Sequence, residues 1–148
     1  MSSNYSDTPS IGSYISSFYR IGSSFLAHKF DKYDIGFGQY QFLMKLYLED
    51  GLSHEELTQR VFVDKANTTR AVTKLCEGGY VVIQKDEHDK RKYRIFLTDY
   101  AKSMKDDIWS IATEWENQLL GCLDDEEIAK LSEIFTKVAE HNKWMNFK

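Results

Sequence analysis

The segment from Ser53 to Thr98 constrains this chain more than any other part of it. Ser53 stands three residues before Glu56, so its hydroxyl can accept an amide at a helix start while the carboxylate reaches back, and Leu52 can staple onto Leu57. The spacing predicts a short helix to Arg60 or Val61, an apolar turn at Phe62-Val63, and a second helix capped by Asp64 and running to Glu77. Gly78-Gly79 stops that helix. Tyr80 to Lys85 and Tyr93 to Leu97 are rich in β-branched and aromatic residues. The polar loop between them, Asp86-Glu87-His88-Asp89-Lys90-Arg91-Lys92, is too long for a tight two-residue turn, so the pair reads as a hairpin with a protruding tip.

A helix-turn-helix followed by a basic hairpin fits a DNA duplex, with a helix for the major groove and an arginine-bearing loop for the minor groove. The formal charge of −4 argues against a polyanion partner, but its distribution does not. Between Asp64 and Arg94 lie eight basic and five acidic residues, a local +3 that leaves −7 for the rest. An ordinary solvated charged hairpin has the same local charge, so charge alone leaves both readings open. The second helix is more telling. Its inward stripe is predicted as Thr68, Ala71 or Val72, and Leu75, which leaves Lys65, Asn67, Thr69 or Arg70, Thr73 and Lys74 facing out. These are side chains that bond base edges and phosphates, and only Asp64 and Glu77, one at each end, are acidic. In the loop, Arg91 between Lys90 and Lys92 suits the negative potential of a narrow minor groove. Asp86 and Asp89 are expected to structure the loop by pairing with its arginines or accepting backbone amides.

Around this segment the pattern is helical. Apolar residues recur from Ile11 to Phe30 (Ile11, Ile15, Phe18, Ile21 or Gly22, Phe25), and again from Gln39 to Glu49 (Tyr40, Leu43, Leu46, Tyr47) after a break at Asp34 to Gly38. Thr98-Asp99 caps one long helix to about Leu120, with Ala101, Met104, Ile108, Ile111, Trp115 and Leu119 at helical intervals. Asp124 opens another, with Glu127 as its capping partner and Ile128, Leu131, Phe135 and Val138 as its stripe. Phe18, Phe25, Ile108, Trp115, Phe135 and Trp144 exceed what a small winged helix buries. Either an intersubunit bundle or a larger intrachain core must take them.

Other chemistry finds little footing. Cys76 and Cys122 are far apart in predicted helices, without a CxxC, and read as small buried hydrophobes. His28, His54, His88 and His141 are scattered, so no metal site and no cofactor is expected. There is no Gly-rich phosphate loop, nucleophile elbow or His-carboxylate cluster, and the chain is not expected to be an enzyme. No stretch is apolar enough to span a bilayer and the Ser-rich start lacks a signal-peptide layout, which predicts a cytoplasmic protein without a membrane partner.

The order helix, helix, capped helix, recognition helix, wing, long helix, helix resembles the MarR (multiple-antibiotic-resistance regulator) family of transcription factors. The specific segments are Asp64-Lys65, Thr69 to Val72, Leu75 to Val81, then Asp86, Asp89, Arg91 and Leu97-Thr98. His88 stands where the family pattern has a first wing arginine, which puts one wing ion pair in question. The resemblance implies a mainly α (α+β) chain forming one domain over 1–148. Within it, residues 11–34 and 99–148 would supply dimerisation helices and residues 35–98 a winged helix-turn-helix lobe. It further implies a homodimer on a pseudo-palindromic double-stranded operator, acting as a repressor, with Lys65, Asn67, Thr69, Arg70, Thr73, Lys74, Lys90, Arg91 and Lys92 toward DNA. A small aromatic or anionic effector would bind near Tyr14, Phe18, Arg20 and Tyr40. There Arg20 either holds the ligand's anion or pairs with an acid in the dimer interface. A winged helix used only to bind protein is the alternative.

Overall fold

The computed structural model describes residues 9–142. Seven helices and three strands follow the order α1 (Ile11–Phe30), α2 (Phe37–Leu48), β1 (Leu52–Ser53), α3 (His54–Val61), α4 (Lys65–Glu77), β2 (Val81–Lys85), β3 (Tyr93–Leu97), α5 (Asp99–Ser103), α6 (Lys105–Leu120) and α7 (Asp125–Asn142). A 3-10 turn, Asp31–Tyr33, follows α1. The capping residues act as expected. Ser53 and Glu56 form the reciprocal box at α3, Asp64 Oδ1 accepts the Asn67 amide at 2.7 Å, and Thr98 Oγ1 accepts the Ala101 amide at 3.1 Å. The α4 end is a Schellman turn in which Gly79 takes φ +81°, the Tyr80 amide bonds Leu75 O at 2.9 Å, and the Gly79 amide bonds Cys76 O at 3.1 Å.

The three strands form an antiparallel sheet in the order β1-β3-β2, with Ile83 opposite Ile95 and Leu52 opposite Ile95 on the other side. β1 is two residues long and was not legible as a strand. It exists because Gly51, at φ +76°, turns the chain back so that its amide reaches Ile95 O at 3.1 Å. The Asp50 carboxylate fastens the same turn by accepting the Leu97 amide at 2.8 Å. The core lies between this sheet and α2, α3 and α4, with Leu43, Leu46, Leu57, Leu75, Tyr80 and Ile95 fully buried. Both Ala71 and Val72 face inward, and Thr68 is buried with them.

Three expectations are corrected, and the open question of the α1 face receives an answer. The long helix predicted from Asp99 to Leu120 is broken at Met104, where the buried Tyr47 hydroxyl donates to Ala101 O at 2.6 Å and the Met104 amide turns back to Tyr100 O and Ala101 O. A side chain inserted into a carbonyl ladder is a recognised cause of such a break. In α1 the residues buried are Gly22, Leu26 and Phe30, whereas Ile11, Ile15, Phe18 and Ile21 stay exposed, although Tyr19 on another face meets Phe37 edge-on at 5.3 Å between ring centroids. Gly22 is where it meets α6: a Cβ there would lie 2.7 Å from the Trp115 ring. α2 starts at Phe37, two residues early, because Gln39 folds back to accept the Gly36 amide at 2.8 Å. Finally, Cys122 is exposed and sits in the turn after α6, which ends at Leu120.

The apolar surplus is divided. Ile108 is buried and Phe25 meets Trp115 at 5.8 Å between ring centroids, while Phe18 and Phe135 remain about half exposed. Trp144 lies outside the described residues. α7, eighteen residues long, has no buried residue at all. Among the described residues, no helix is long and apolar enough to cross a membrane.

Candidate nucleic-acid interface

α4 packs against both α2 and α3 through Ala71, Val72 and Leu75, and α3 adds polar contacts. On α3, His54 and Thr58 are four residues apart and therefore share a face. The Thr58 hydroxyl lies 2.7 Å from that of the buried Thr68, and His54 Nε2 lies 3.0 Å from Thr69 Oγ1. This face adds two polar links to the apolar packing of the helix-turn-helix, and Phe62, at φ +60°, makes the turn between the helices. Neither link was anticipated. His54 was passed over as one of four scattered histidines, and its only signal was the i, i+4 relation to Thr58. Burial first, and the Lys65 ammonium second, lower its pKa below the usual imidazole value.

With Thr68, Ala71, Val72 and Leu75 turned inward, α4 presents Lys65, Asn67, Thr69, Arg70, Thr73 and Lys74 to solvent. The Arg70 guanidinium donates to Asn67 Oδ1, which joins these two side chains on the exposed face. Thr69 and Arg70, left as alternatives by the sequence, are both exposed.

The wing is built around Asp86. Its carboxylate accepts the His88 amide at 2.7 Å, the Asp89 amide at 3.0 Å and the Arg94 guanidinium, and Arg94 in turn donates to Gly51 O at 2.9 Å. Hydrogen bonding from Arg94, then from the Asp89 and His88 amides, brings the Asp86 pKa down to about 2. His88, in the place of a wing arginine, therefore supplies a backbone amide, and the ion pair comes from Arg94 in β3. Arg94 was counted only as a charge in the sequence. Its signal was the alternation in Tyr93-Arg94-Ile95-Phe96-Leu97, where Ile95 and Leu97 are buried and Arg94 takes the opposite phase. Asp89 accepts the Arg91 amide at 3.1 Å and its Nε at 3.2 Å, bonds that lower the Asp89 pKa. The Arg91 side chain is nonetheless 91% exposed at the tip, with Lys90 and Lys92 exposed beside it.

Helix and wing meet in one groove of about 370 Å³, lined by His54, Glu55 and Lys65 from the helices, Arg91 and Lys92 from the wing, and the apolar Val72, Ile83 and Ile95. The other sequence-nominated group is not gathered in this way. Tyr14 and Phe18 stack at 5.9 Å along the exposed part of α1, and Arg20 donates to Ser17 Oγ at 3.4 Å. Tyr40 instead stacks on Phe30, meets Phe37 at a tilt, and lines a cleft of about 680 Å³ with Trp115, Leu119, Leu131 and Phe135.

A helix-turn-helix, a three-stranded wing and flanking long helices define a winged-helix protein of the transcription-regulator class. The MarR family model matches residues 33–92. A MarR transcriptional regulator from Methanosarcina mazei Go1 superposes with a TM-score of 0.81 at 40% identity, over 89% of this chain and 95% of that one. The chain belongs to the MarR family. A MarR family transcriptional regulator from Listeria monocytogenes, solved with a 26mer DNA, shares the fold at a TM-score of 0.86 and 20% identity, over 92% of this chain and 91% of that one. The HTH-type transcriptional regulator TtmR of Methylorubrum extorquens (strain PA1) is 35% identical over 88 residues, 60% of this chain. That match spans 43% of TtmR's length.

Proposed function

We propose that this protein is a sequence-specific DNA-binding regulator that acts as a homodimer, represses transcription from a pseudo-palindromic operator, and is released by a small aromatic or anionic effector. One observation carries the reading: Lys65 of α4 and Arg91 and Lys92 of the wing line the same groove, beside an α4 face with no acidic residue between its ends. Residues 35–98 would form the DNA lobe, with Asn67, Thr69, Arg70, Thr73 and Lys74 at the major groove, Lys65 on phosphate, and Arg91 flanked by Lys90 and Lys92 at the minor groove. That the related Listeria fold was solved with DNA supports extending this role to the present chain.

The dimer reading, with dimerisation helices in 11–34 and 99–148, is supported by what the described part of these helices leaves uncovered. Ile11, Ile15, Phe18 and Ile21 of α1 and Ile134, Phe135 and Val138 of α7 are each between 44% and 74% exposed. A helix such as α7, with no buried residue, does not repay its ordering entropy until an apolar face is covered. Two-fold symmetry would then set half-sites roughly 10 bp apart. The effector would lie between the dimer helices and the lobe, near Tyr14, Phe18, Arg20 and Tyr40, and must bind the DNA-incompetent state more tightly than the competent one to cause release.

The test is selection of bound fragments from genomic DNA, repeated with aromatic acids present, together with sedimentation of the parent and Phe135→Glu proteins. Enrichment of an inverted repeat, its loss with one of the acids, and a dimer weakened by the substitution are expected. Binding to no duplex at low salt, or a monomeric parent, would overturn the reading and favour a protein-interaction module.

A further inference from the structure

Within the proposed DNA-reading face, one side chain has an unusual hydrogen-bond balance. Thr69 is exposed on α4, yet its hydroxyl is engaged twice inside the protein, with Lys65 O at 3.0 Å and with His54 Nε2 at 3.0 Å. A hydroxyl carries one proton. If that proton goes to the Lys65 carbonyl, the His54 ring donates to the oxygen; if it goes to His54, the ring is the acceptor. In both tautomers the donor is used within the fold, and the γ-methyl is the part of this exposed side chain that takes no share in these bonds. Its neighbours are differently disposed. Asn67 accepts from Arg70 through its oxygen and keeps its two amide N–H groups, and Arg70 keeps most of its guanidinium donors.

From this division we infer that Thr69 reads DNA through its methyl group, selecting a thymine by contact with the base's 5-methyl, while Asn67 and Arg70 supply the hydrogen bonds on either side. A threonine methyl against a thymine methyl is an established mode of major-groove discrimination. The inference rests on the DNA-binding reading above, and extends it to the chemical group that discriminates.

The experiment replaces each thymidine of the selected operator by deoxyuridine, which removes the 5-methyl and nothing else, and measures affinity for the parent, Thr69→Val and Thr69→Ser proteins. Thr69→Val keeps the methyl and replaces the hydroxyl by a second methyl; Thr69→Ser keeps the hydroxyl and removes the methyl. The parent and Thr69→Val should lose about fourfold in affinity per half-site at one thymine, the factor that burying a single methyl supplies. Thr69→Ser should bind thymine and uracil operators alike. Unfolding midpoints of all three proteins check that the exposed substitutions leave the fold intact. A Thr69→Ser protein that still discriminates at the same position, or a Thr69→Val protein that loses sequence preference, overturns the inference while leaving DNA binding in place. A parent protein with no preferred sequence overturns both.

Discussion

Replacing Gly51 by alanine should destabilise the wing sheet through two separable costs. Gly51 sits at φ +76°, where an L-residue is disfavoured by about 1–2 kcal/mol. An added Cβ would lie 2.7 Å from Phe96 Cε1 and 3.2 Å from Cζ, closer than side-chain carbons approach, so the ring must move. Such overpacking costs about 1–3 kcal/mol. Together these give a loss of about 2–5 kcal/mol, large against a typical domain stability of about 5–15 kcal/mol. Urea unfolding reads it as a lower midpoint at unchanged slope. The two parts separate in a cycle with Phe96→Ala: with the ring removed, the second substitution should cost only the backbone part, so the pair is less damaging than the sum of the singles. Because Gly51 O also accepts from Arg94, the mutant should loosen the hairpin that carries Arg91. A Gly51→Ala protein within about 0.5 kcal/mol of the parent, the usual range for a neutral surface change, would refute the reasoning.

Other outcomes follow from the same geometry. Tyr47→Phe should cost about 1 kcal/mol in chemical unfolding, the net worth of the bond to Ala101 O. Burial holds the Tyr47 phenol up at about 12 in the fold against 10.0 when free, so this residue's contribution should be complete below pH 10 and fall as pH rises toward 12, an alkaline loss absent in the mutant. Asp86 has the opposite sign. Its pKa of about 2 lies below the free value of 3.8, so its stabilisation is present above pH 3.8 and is lost as pH falls toward 2; amide resonances of His88 and Asp89 should shift in that window, and Asp86→Asn should abolish the shift. Phe62→Gly should raise stability by about 1 kcal/mol in thermal or urea unfolding by relieving a left-handed residue that is 53% exposed. On a cognate operator, Arg91→Ala should weaken binding by about 1–3 kcal/mol and Lys65→Ala should lower the salt slope by about one unit, as read from titrations at several salt concentrations. Parent-like binding by both would remove these two residues from the interface.

What could be read from the chain alone is local. The Ser53–Glu56 box, the Asp64 and Thr98 caps and the Gly79 stop each depend on atoms within a few residues of one another, and helical or alternating periodicity assigns a face without reference to partners. The helix-turn-helix, the hairpin and the outward set on α4 were therefore legible. Where an element packs is a different kind of fact. The two-residue β1 exists only against β3, and the break at Met104 comes from a tyrosine 54 residues distant from the carbonyl it occupies. Asp86 found its partner in Arg94, across the hairpin, and Thr69 its partner in His54, on the preceding helix. The apolar stripe of α1 was visible, but not that its first half would stay uncovered while Gly22 took the Trp115 ring. Sequence specifies what each segment can be because backbone hydrogen bonds and side-chain phase are short-range; tertiary structure decides which surfaces are consumed and which remain free, because that is set by volume and by competition among distant side chains for the same few contacts.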